Sequence, residues 1–295
     1  MTSIVIPAHN EARVIGRLLD SLLADSGPTG SGGSGGLGDF ADDTDIVVVC
    51  NGCTDDTAEI AAARGPRVRV VEIPVPSKHA ALRAGDDHAR GFPRLYVDAD
   101  VVIAGADVRA LTEPLADAAS GILATAPVRR IPLASCAWRV RAYYQVWQRL
   151  PAVREGLFGR GVIAVSKAGH SRLAALPPLM ADDLAASLAF AAEERRVVDT
   201  AGVVIQPPRT WRDLIRRRVR AAVSTAQVEQ HQGPQGASAR TSKADLKALL
   251  RREPRLFVAM VVFLSAAVAA RRKAAKAVRA QDFGTWLRDE SSRQN

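Results

Sequence analysis

The sequence predicts an α/β protein with a mostly parallel sheet flanked by helices and with a basic helical extension at its C-terminus. Over about the first hundred residues, short apolar runs alternate with helical patterns of apolar residues, which is typical of a parallel sheet covered by helices. The 295 residues are enough for one large domain plus an appendage. Charge is uneven, because residues 1–206 carry 21 Lys+Arg and 24 Asp+Glu, whereas residues 207–295 carry 19 and 7. We therefore expect the last third to face an anionic partner.

The strands and helices are predicted from the period of their apolar residues and from the turn residues between them. A strand over Ile4–Pro7 is followed by a helix over Glu11–Ala24. Residues 26–38 are rich in Gly and Ser and are predicted to form an inserted loop. The alternation continues with strand Asp45–Val49, helix Thr57–Arg64, strand Val68–Ile73, helix Lys78–Ala89 and strand Leu95–Val97.

Polar residues follow three of these strands, at the carboxyl ends where open α/β sheets bind ligands. Pro7-Ala8-His9-Asn10-Glu11 follows the first strand, Asn51 begins the segment after the second, and Asp98-Ala99-Asp100 follows the fourth. A crevice at this edge could bind a nucleotide. Glu11 and Asn51 would then contact the base and the ribose of that nucleotide.

Asp98 and Asp100 are the candidate metal ligands. If the strand continues through them, residues i and i+2 point the same way and the two carboxylates converge. Mg²⁺ and Mn²⁺ prefer oxygen ligands and are often held by one or two carboxylates together with substrate phosphates. The alternative is a plain turn, in which Asp is common.

Several separated motifs resemble the family-2 glycosyltransferases of the GT-A fold, over about Ile4 to Arg220. The quoted segments are IVIPAHNEARVIGRLLDSL, VVVCNGCTDDTAEIA, SKHAALRAGDDHA, VDADVVI, MADDLAASLAF and TWRDLIRRRVRA, in the order of the family. The resemblance implies a metal-dependent inverting glycosyltransferase that uses a nucleotide-sugar donor and a divalent metal, Mn²⁺ or Mg²⁺.

The resemblance also implies site residues. Asp183 takes the place of the catalytic base and Asp182 precedes it in the Glu-Asp segment; a carboxylate there can deprotonate the acceptor hydroxyl. Asp100 is the expected metal ligand, with Asp98 beside it and nearer the ribose. The expected donor-nucleotide residues are Pro7, Ala8, His9, Glu11, Asn51, Lys78, Asp98, Arg217 and Arg220. Structural alternatives remain, because acidic residues favour a helix N-terminus and the arginines could form a solvated helix face.

The sequence departs from the family pattern at three positions. Asn51 stands where the family usually has an Asp that contacts uracil, so the identity of the nucleotide base is left open. Arg83 replaces the usual Asn of the third motif. Ala221 replaces the Trp of the Arg-Trp motif, which favours a single-sugar transferase over a processive polymer synthase.

The C-terminal region is predicted to be a separate helical extension, residues 223–295, after a catalytic domain over residues 1–222. Residues 227–242 are polar and predict a linker or an acceptor-side loop. Leu256–Ala270 is uncharged between basic flanks, and fifteen residues are fewer than the roughly twenty that span a bilayer. A helix on an anionic membrane surface and a helix buried against the protein are both open.

The expected location is cytoplasmic, since no secretory signal opens the chain. If Leu256–Ala270 forms a membrane-surface helix, the protein is expected to be peripheral on the inner face of the cell membrane. The acceptor could be a glycan, a lipid or a small molecule, in cell-envelope or lipid-linked glycan synthesis. Trp138, Tyr143, Tyr144 and Trp147 could stack on it, although core packing is the commoner role of such residues.

Two other functions are alternatives to a glycosyltransferase. A sugar nucleotidyltransferase would share the sheet but usually has a Gly-rich loop after its first strand. A non-catalytic protein that binds anionic surfaces could use the basic tail, but no nucleic-acid partner is expected because no recognition module is visible in residues 240–279. Cys50 and Cys53 form a C-x-x-C that could be a redox pair or simply flank a tight Asn-Gly turn.

Overall fold

The computed structural model describes residues 1–24, 44–176, 182–232 and 241–279, so the predicted loop at 26–38 lies outside the described residues. The chain divides into two compact units. Unit 1 comprises residues 1–130, 159–177 and 189–205, and unit 2 comprises residues 131–158, 178–188 and 206–295.

Unit 1 is built on one eight-stranded sheet. Its strands are β1 Thr2–Ala8, β2 Thr44–Asn51, β3 Val68–Ile73, β4 Arg94–Val97, β5 Val101–Val102, β6 Ala124–Arg130, β7 Val162–Val165 and β8 Arg195–Ile205. Their order across the sheet is β3-β2-β1-β4-β7-β6-β8-β5. The β3-β2-β1-β4 half is parallel, as is the β6–β8 pair, whereas β7 runs antiparallel to both its neighbours and β5 antiparallel to β8. The predicted mostly parallel α/β sheet is therefore confirmed.

Helices from both units follow in chain order. They are α1 Ile15–Leu23, α2 Thr57–Ala62, α3 Lys78–His88, α4 Gly105–Ala116, α5 Trp138–Trp147, α6 Pro151–Glu155, α7 Lys167–Ala174, α8 Asp182–Leu188, α9 Trp211–Gln232, α10 Lys243–Arg252 and α11 Phe257–Arg279. Helices α1–α4 and α7 belong to unit 1, and the others belong to unit 2.

Strand alternation divides the core of unit 1 between the two faces of the sheet. Ile4 and Ile6 share one apolar cluster with Leu18 of α1, whereas Val47 and Ala81 pack in a second cluster beneath α3. Successive residues of a strand point to opposite faces, which explains this division. The part of the sheet around β1 and β2 is thus covered by α1 on one face and by α3 on the other.

The predicted start of the first helix was wrong, whereas the predicted end of the fourth strand was right. Helix α1 begins at Ile15 and not at Glu11, because the backbone of Val14, with φ −127°, leaves the helical region. Ahead of it, the backbone N–H of Glu11 donates to Thr57 Oγ1 at 2.9 Å and that of Ala12 to Asp55 Oδ2 at 3.2 Å. Strand β4 ends at Val97, and residues 98–100 form a turn before β5.

Unit 2 is helical and has its own apolar core. Helices α5, α9 and α11 supply it, and the rings of Tyr143 and Phe263 stack at 5.2 Å. Burial raises the pKa of Tyr143 to about 12. Tyr144 is buried as well, so the prediction of core packing holds for these two tyrosines, whereas Trp138 is 55% exposed.

The C-terminal region is more continuous than the sequence suggests. Helix α9 runs to Gln232, so the first part of the predicted linker at 227–242 is helical, and residues 233–240 lie outside the described residues. The predicted boundary after residue 222 falls inside α9, and the division into catalytic domain and extension stays a prediction. Among the described helices, the stretch Pro254–Ala275 is long and apolar enough to cross a membrane, a property that core helices of soluble proteins share.

Candidate active site

The carboxyl ends of β1, β2 and β4 form the edge that carries the candidate site. Parallel pairing sets Ala8 opposite Cys50, so the loops that leave β1 and β2 begin side by side. His9 Nδ1 lies 2.7 Å from the carbonyl oxygen of Asn51, which joins the two loops directly. The structure therefore brings together the first two groups of residues that the sequence singled out.

The β1–α1 and β2–α2 loops are tied by further hydrogen bonds. Asn10 adopts a left-handed backbone with φ 54°, a conformation that Asn tolerates better than most residues. Its side-chain oxygen accepts from the N–H of Thr54 at 2.8 Å, and Thr57 accepts from Glu11 as described above. Asp55 in turn accepts from Thr57 and Ala12. Sequence reasoning missed these supports, although Asn10 and Asp55 lie within the quoted motifs.

Glu11 and Asn51 are both buried at this edge. The chain then turns at Gly52, whose φ is +59° and whose N–H donates to the carbonyl of Ile73 at 2.8 Å. A Cβ at Gly52 would come 3.0–3.1 Å from Pro76, so glycine suits both the backbone angle and the close approach. The loop before α3 is thereby held against the end of β2.

Lys78 is the first residue of α3, and its Nζ lies 2.7 Å from Asp98 Oδ1. Ser77 caps the helix by accepting from the N–H of Ala80 at 3.3 Å. This ion pair links the third motif of the sequence to the fourth. Both side chains are about one third exposed, so a ligand can reach them.

Asp98 and Asp100 lie in a turn, which corrects the argument that strand alternation makes their carboxylates converge. The backbone N–H of Asp98 donates to the carbonyl of Gly161 at 2.7 Å, and this bond anchors the turn to β7. No cluster of three or more His, Cys, Asp or Glu side chains suited to a metal occurs among the described residues. Two carboxylates in one turn nevertheless fit a Mg²⁺ or Mn²⁺ ion that also takes ligands from substrate phosphates.

The segment Gly159-Arg160-Gly161 packs behind the Asp98 turn and was not assigned a role from the sequence. Arg160 is 2% exposed and donates to the carbonyl of Pro127 at 2.7 Å, and burial lowers the pKa of its guanidinium to about 10. Gly161 has φ +65°, and a Cβ there would lie 2.5 Å from Val101 and 3.3 Å from Asp98 Oδ2. The sequence signal that could have drawn attention to this segment is the pattern of two glycines around an arginine.

Cys50 of the C-x-x-C pair lacks the features of a reactive thiol. Cys50 is buried, and burial together with the neighbouring Cys53 raises the pKa of its thiol to about 12. Cys53 Sγ donates to the carbonyl of Ala8 at 3.4 Å. Reactive cysteines have a lowered pKa, so this geometry favours a packing role in the loop.

The remaining predicted residues belong to unit 2. Asp182 begins α8, and the exposed Asp183 accepts from the N–H of Leu184 at 2.8 Å, so the helix N-terminus expected here is present. Arg217 and Arg220 lie on α9 and are half-buried, and Arg217 donates to the carbonyl of Gln206 at 3.2 Å. Helix α8 contacts α9, so the acidic and basic residues belong to neighbouring helices.

The predicted site residues thus form two groups. Unit 1 brings together Pro7, Ala8, His9, Glu11, Asn51, Lys78, Asp98 and Asp100. Unit 2 holds Asp182, Asp183, Arg217 and Arg220. The roles of all these residues stay predictions.

A mostly parallel sheet with two carboxylates and a lysine at its carboxyl edge fits the class of GT-A-like glycosyltransferases. The model of the family described as glycosyl transferase family 2 matches residues 3–170. The chain belongs to this family, which confirms the resemblance seen in its motifs and the enzyme class expected from it.

Individual relatives are more distant. A dolichyl-phosphate beta-glucosyltransferase of Trichomonas vaginalis is 37% identical over 103 residues, which are 34% of this chain and 29% of that protein. The chain therefore spans less than a third of the length of this curated relative.

Two solved structures share the fold. A mannosyltransferase of Pyrobaculum calidifontis in complex with GDP-Man and Mn²⁺ has a TM-score of 0.60 at 22% identity, over 94% of this chain and 75% of that one. Glucosyl-3-phosphoglycerate synthase of Mycobacterium tuberculosis in complex with Mn²⁺ and UDP-glucose has a TM-score of 0.54 at 21% identity, over 77% of this chain and 78% of that one. Identities this low show the fold alone.

Proposed function

We propose that this protein transfers a single sugar from a nucleoside-diphosphate sugar to an acceptor, in a reaction that needs a divalent metal and inverts the anomeric centre. The observation that carries the proposal is the Lys78–Asp98 ion pair beside Asp100, at the carboxyl edge of a sheet in a family-2 chain. Family membership also favours transfer of a sugar over nucleotidyl transfer and over simple binding of anionic surfaces.

The donor nucleotide would lie against the joined loops of β1 and β2. Glu11 supplies a hydrogen-bond acceptor, and Asn51 supplies an amide, for the base and ribose of the nucleotide. An amide can pair with a base edge because its N–H donates and its carbonyl oxygen accepts hydrogen bonds. Pro7 and Ala8 would line the crevice through the backbone, with His9 beside them. The hydrogen bonds that the Asn10 and Thr57 side chains accept hold the two loops in place before the donor binds, which limits the entropy lost on binding.

Asp100, with Asp98 beside it, would hold Mn²⁺ or Mg²⁺. Two solved relatives of the same fold carry Mn²⁺ together with a nucleotide sugar, which supports this assignment. A bound divalent ion supplies charge stabilisation to a leaving diphosphate. Lys78, Arg217 and Arg220 would add cationic hydrogen-bond donors to the same phosphates.

Asp183 is the proposed general base. Asp182 precedes it and takes the Glu position of the family's Glu-Asp segment. The Asp183 carboxylate would take the proton of the acceptor hydroxyl as that oxygen attacks the anomeric carbon on the face opposite the diphosphate. An acceptor phosphate would attack without this proton transfer. The base role requires the exposed Asp183 carboxylate to reach the acceptor in the donor complex.

The acceptor is proposed to be a glycan, lipid or small molecule used in cell-envelope or lipid-linked glycan synthesis. The similarity to a dolichyl-phosphate glucosyltransferase supports a lipid-linked acceptor, and the basic last third of the chain supports work at an anionic surface. We accordingly propose a cytoplasmic protein that is peripheral on the inner face of the cell membrane.

The direct test is donor turnover. The protein is incubated with Mn²⁺ and a panel of nucleotide sugars, and release of nucleoside diphosphate is measured with and without candidate lipid-phosphate acceptors. We expect one donor to be hydrolysed slowly alone and faster with its acceptor, giving a product of inverted configuration by NMR. Release of pyrophosphate from a nucleoside triphosphate and a sugar phosphate, with no turnover of nucleotide sugars, would contradict the proposal.

A further inference from the structure

Helix α11 has two faces with different surroundings. Its buried face packs against α5 and α9 in the core of unit 2 and includes Met260, Phe263 and Ala266. Its other face is solvent-exposed and still apolar. We call this the apolar face of α11, and it consists of Phe257, Val258, Val261, Leu264 and Val268, which are 43–64% exposed.

We infer that the apolar face of α11 docks onto an anionic lipid surface, with the helix lying in the plane of the membrane. This deepens the proposed membrane location by naming the surface of the protein that makes the contact. It does not depend on the identity of the donor or on the catalytic residues.

The first support is the concentration of exposed apolar side chains. Five of the nine large hydrophobic residues that are exposed in the described part of the chain belong to this one face. Phe257, Val261, Leu264 and Val268 follow one another at intervals of three or four residues, so they form a continuous stripe on the helix. Scattered exposed apolar residues are ordinary, but a contiguous patch marks an interaction surface.

The second support is the charge at both ends of the stripe. Exposed cations lie on both flanks: Arg251, Arg252 and Arg255 before it, and Arg271, Arg272 and Lys273 after it. The acid among them, Glu253, lies 3.0 Å from Arg149 and 3.1 Å from Arg255 and is thus neutralised by its neighbours. Cations beside an apolar stripe fit phosphate headgroups above an acyl layer better than they fit the apolar surface of a protein.

Geometry favours docking in the plane over spanning. From Phe257 to Val268 the helix rises about 16 Å, roughly half of the hydrocarbon thickness of a bilayer. Its opposite face is covered by α5 and α9, so lipid can reach only the exposed stripe. A helix that lies on the membrane buries this stripe and keeps the cations of both flanks at headgroup level.

The test uses the full-length protein and sedimentation with two kinds of vesicle: phosphatidylcholine alone, and phosphatidylcholine mixed with phosphatidylglycerol. We expect binding to the mixed vesicles and little binding to the neutral ones. The double variant Val261→Ser with Leu264→Ser should bind the mixed vesicles at least about tenfold more weakly, because apolar side chains at the acyl boundary are lost. Arg271→Gln with Arg272→Gln should weaken binding about fivefold for each cation removed.

The matched control is Val128→Ser, which removes a valine that is 38% exposed in β6 of unit 1 and should leave vesicle binding unchanged. All variants are also titrated with nucleoside diphosphate and Mn²⁺. Unchanged donor binding with lost vesicle binding separates this inference from the proposed function, since either can fail without the other.

Two results would overturn the inference. One is equal binding of the wild type and the α11 variants to the mixed vesicles. The other is a dimer in light scattering that the Val261/Leu264 variant dissociates, with no vesicle binding by the wild type, which would assign the apolar face to a second copy of this chain.

Discussion

Asp183 lies at the first turn of α8, where a carboxylate has two compatible roles. Its bond to the N–H of Leu184 stabilises the helix end, and acidic side chains there interact favourably with the helix dipole. The side chain is nevertheless exposed, as a base that meets an acceptor must be. A substitution can therefore affect both stability and transfer, and the two effects must be measured separately.

Asp183→Asn should lower the rate of transfer to a hydroxyl acceptor about 10²–10⁴-fold, because an amide accepts the helix hydrogen bond but cannot take a proton. Nucleotide binding should stay near the wild-type level. The measurement is steady-state transfer together with calorimetric titration of the nucleoside diphosphate. Asp199→Asn, an exposed aspartate of β8, is the control, and retained transfer in the Asp183 variant would remove this residue from the mechanism.

Lys78 offers a second residue-scale test with a closely matched control. Lys78 and Lys167 are each the first residue of a helix, and each follows a capping serine, but Lys78 also pairs with Asp98. Lys78→Met should weaken donor binding about tenfold or more, since a charged hydrogen-bond donor to phosphate is lost. Lys167→Met should leave donor binding unchanged, and equal effects of the two variants would argue against a role of Lys78 at the phosphates.

Cys50 gives a prediction about pH. Burial raises the pKa of its thiol from 9.0 to about 12, so between these values the unfolded chain releases the proton while the folded protein keeps it. The unfolding free energy should therefore fall as pH rises through this range, by at most about 1.4 kcal/mol per pH unit from this group. Denaturation curves for the wild type and Cys50→Ala should show a shallower decline in the variant, and parallel declines would contradict the assignment.

At the scale of elements, the Asp98 turn depends on the glycine that packs behind it. Gly159 and Gly161 both have positive φ, 62° and 65°, but a Cβ meets nothing within 4 Å at Gly159 and comes 2.5 Å from Val101 at Gly161. Backbone strain is thus common to both positions, and close packing is specific to Gly161.

Gly161→Ala should lower the unfolding free energy by about 1–3 kcal/mol more than Gly159→Ala, because only the first change forces neighbouring atoms to move. It should also weaken metal-dependent donor binding, since Asp98 moves with the turn. Urea denaturation and calorimetry measure the two effects. Equal destabilisation by both variants would mean that the turn adapts to the added methyl group.

The sequence was sufficient for the elements whose signal is local. The strand-helix alternation, the polar residues after β1 and β2, and Lys78 at the start of α3 all follow from apolar period and turn residues. The start of α1 could not be predicted, because the loop ahead of it is shaped by hydrogen bonds to Thr57 and Asp55, more than forty residues away. The sequence left the Asp98 turn as one of two alternatives, and the bond that anchors the turn, from the Asp98 N–H to the carbonyl of Gly161, involves a distant segment.

The packing of helix α11 could not be predicted from the sequence either. Its composition left open a buried helix and a membrane-surface helix, and composition alone cannot choose between them. The structure shows one face buried against α5 and α9 and another exposed, so each alternative describes one side of the helix. Only tertiary contacts reveal which apolar residues lie on which side.

At the scale of the whole molecule, function is divided between the two units in the proposed mechanism. Unit 1 holds most of the expected donor-side residues, which are mutually supported by hydrogen bonds and by the Lys78–Asp98 ion pair. Unit 2 holds Asp183 and the arginines of α9, together with the apolar face of α11. The uneven charge of the chain follows this division, because the basic last third lies in unit 2.

The central claim is that the Asp98–Asp100 turn binds a nucleoside diphosphate through a divalent metal. Calorimetric titration of the wild type, Asp100→Asn and Asp183→Asn with nucleoside diphosphates, each with Mn²⁺ and with a chelator, tests it most directly. We predict tight binding of one nucleotide by the wild type and Asp183→Asn only when Mn²⁺ is present, and loss of the Mn²⁺ dependence in Asp100→Asn. Binding that is the same with Mn²⁺ and with chelator in the wild type, or unchanged in Asp100→Asn, would contradict the claim.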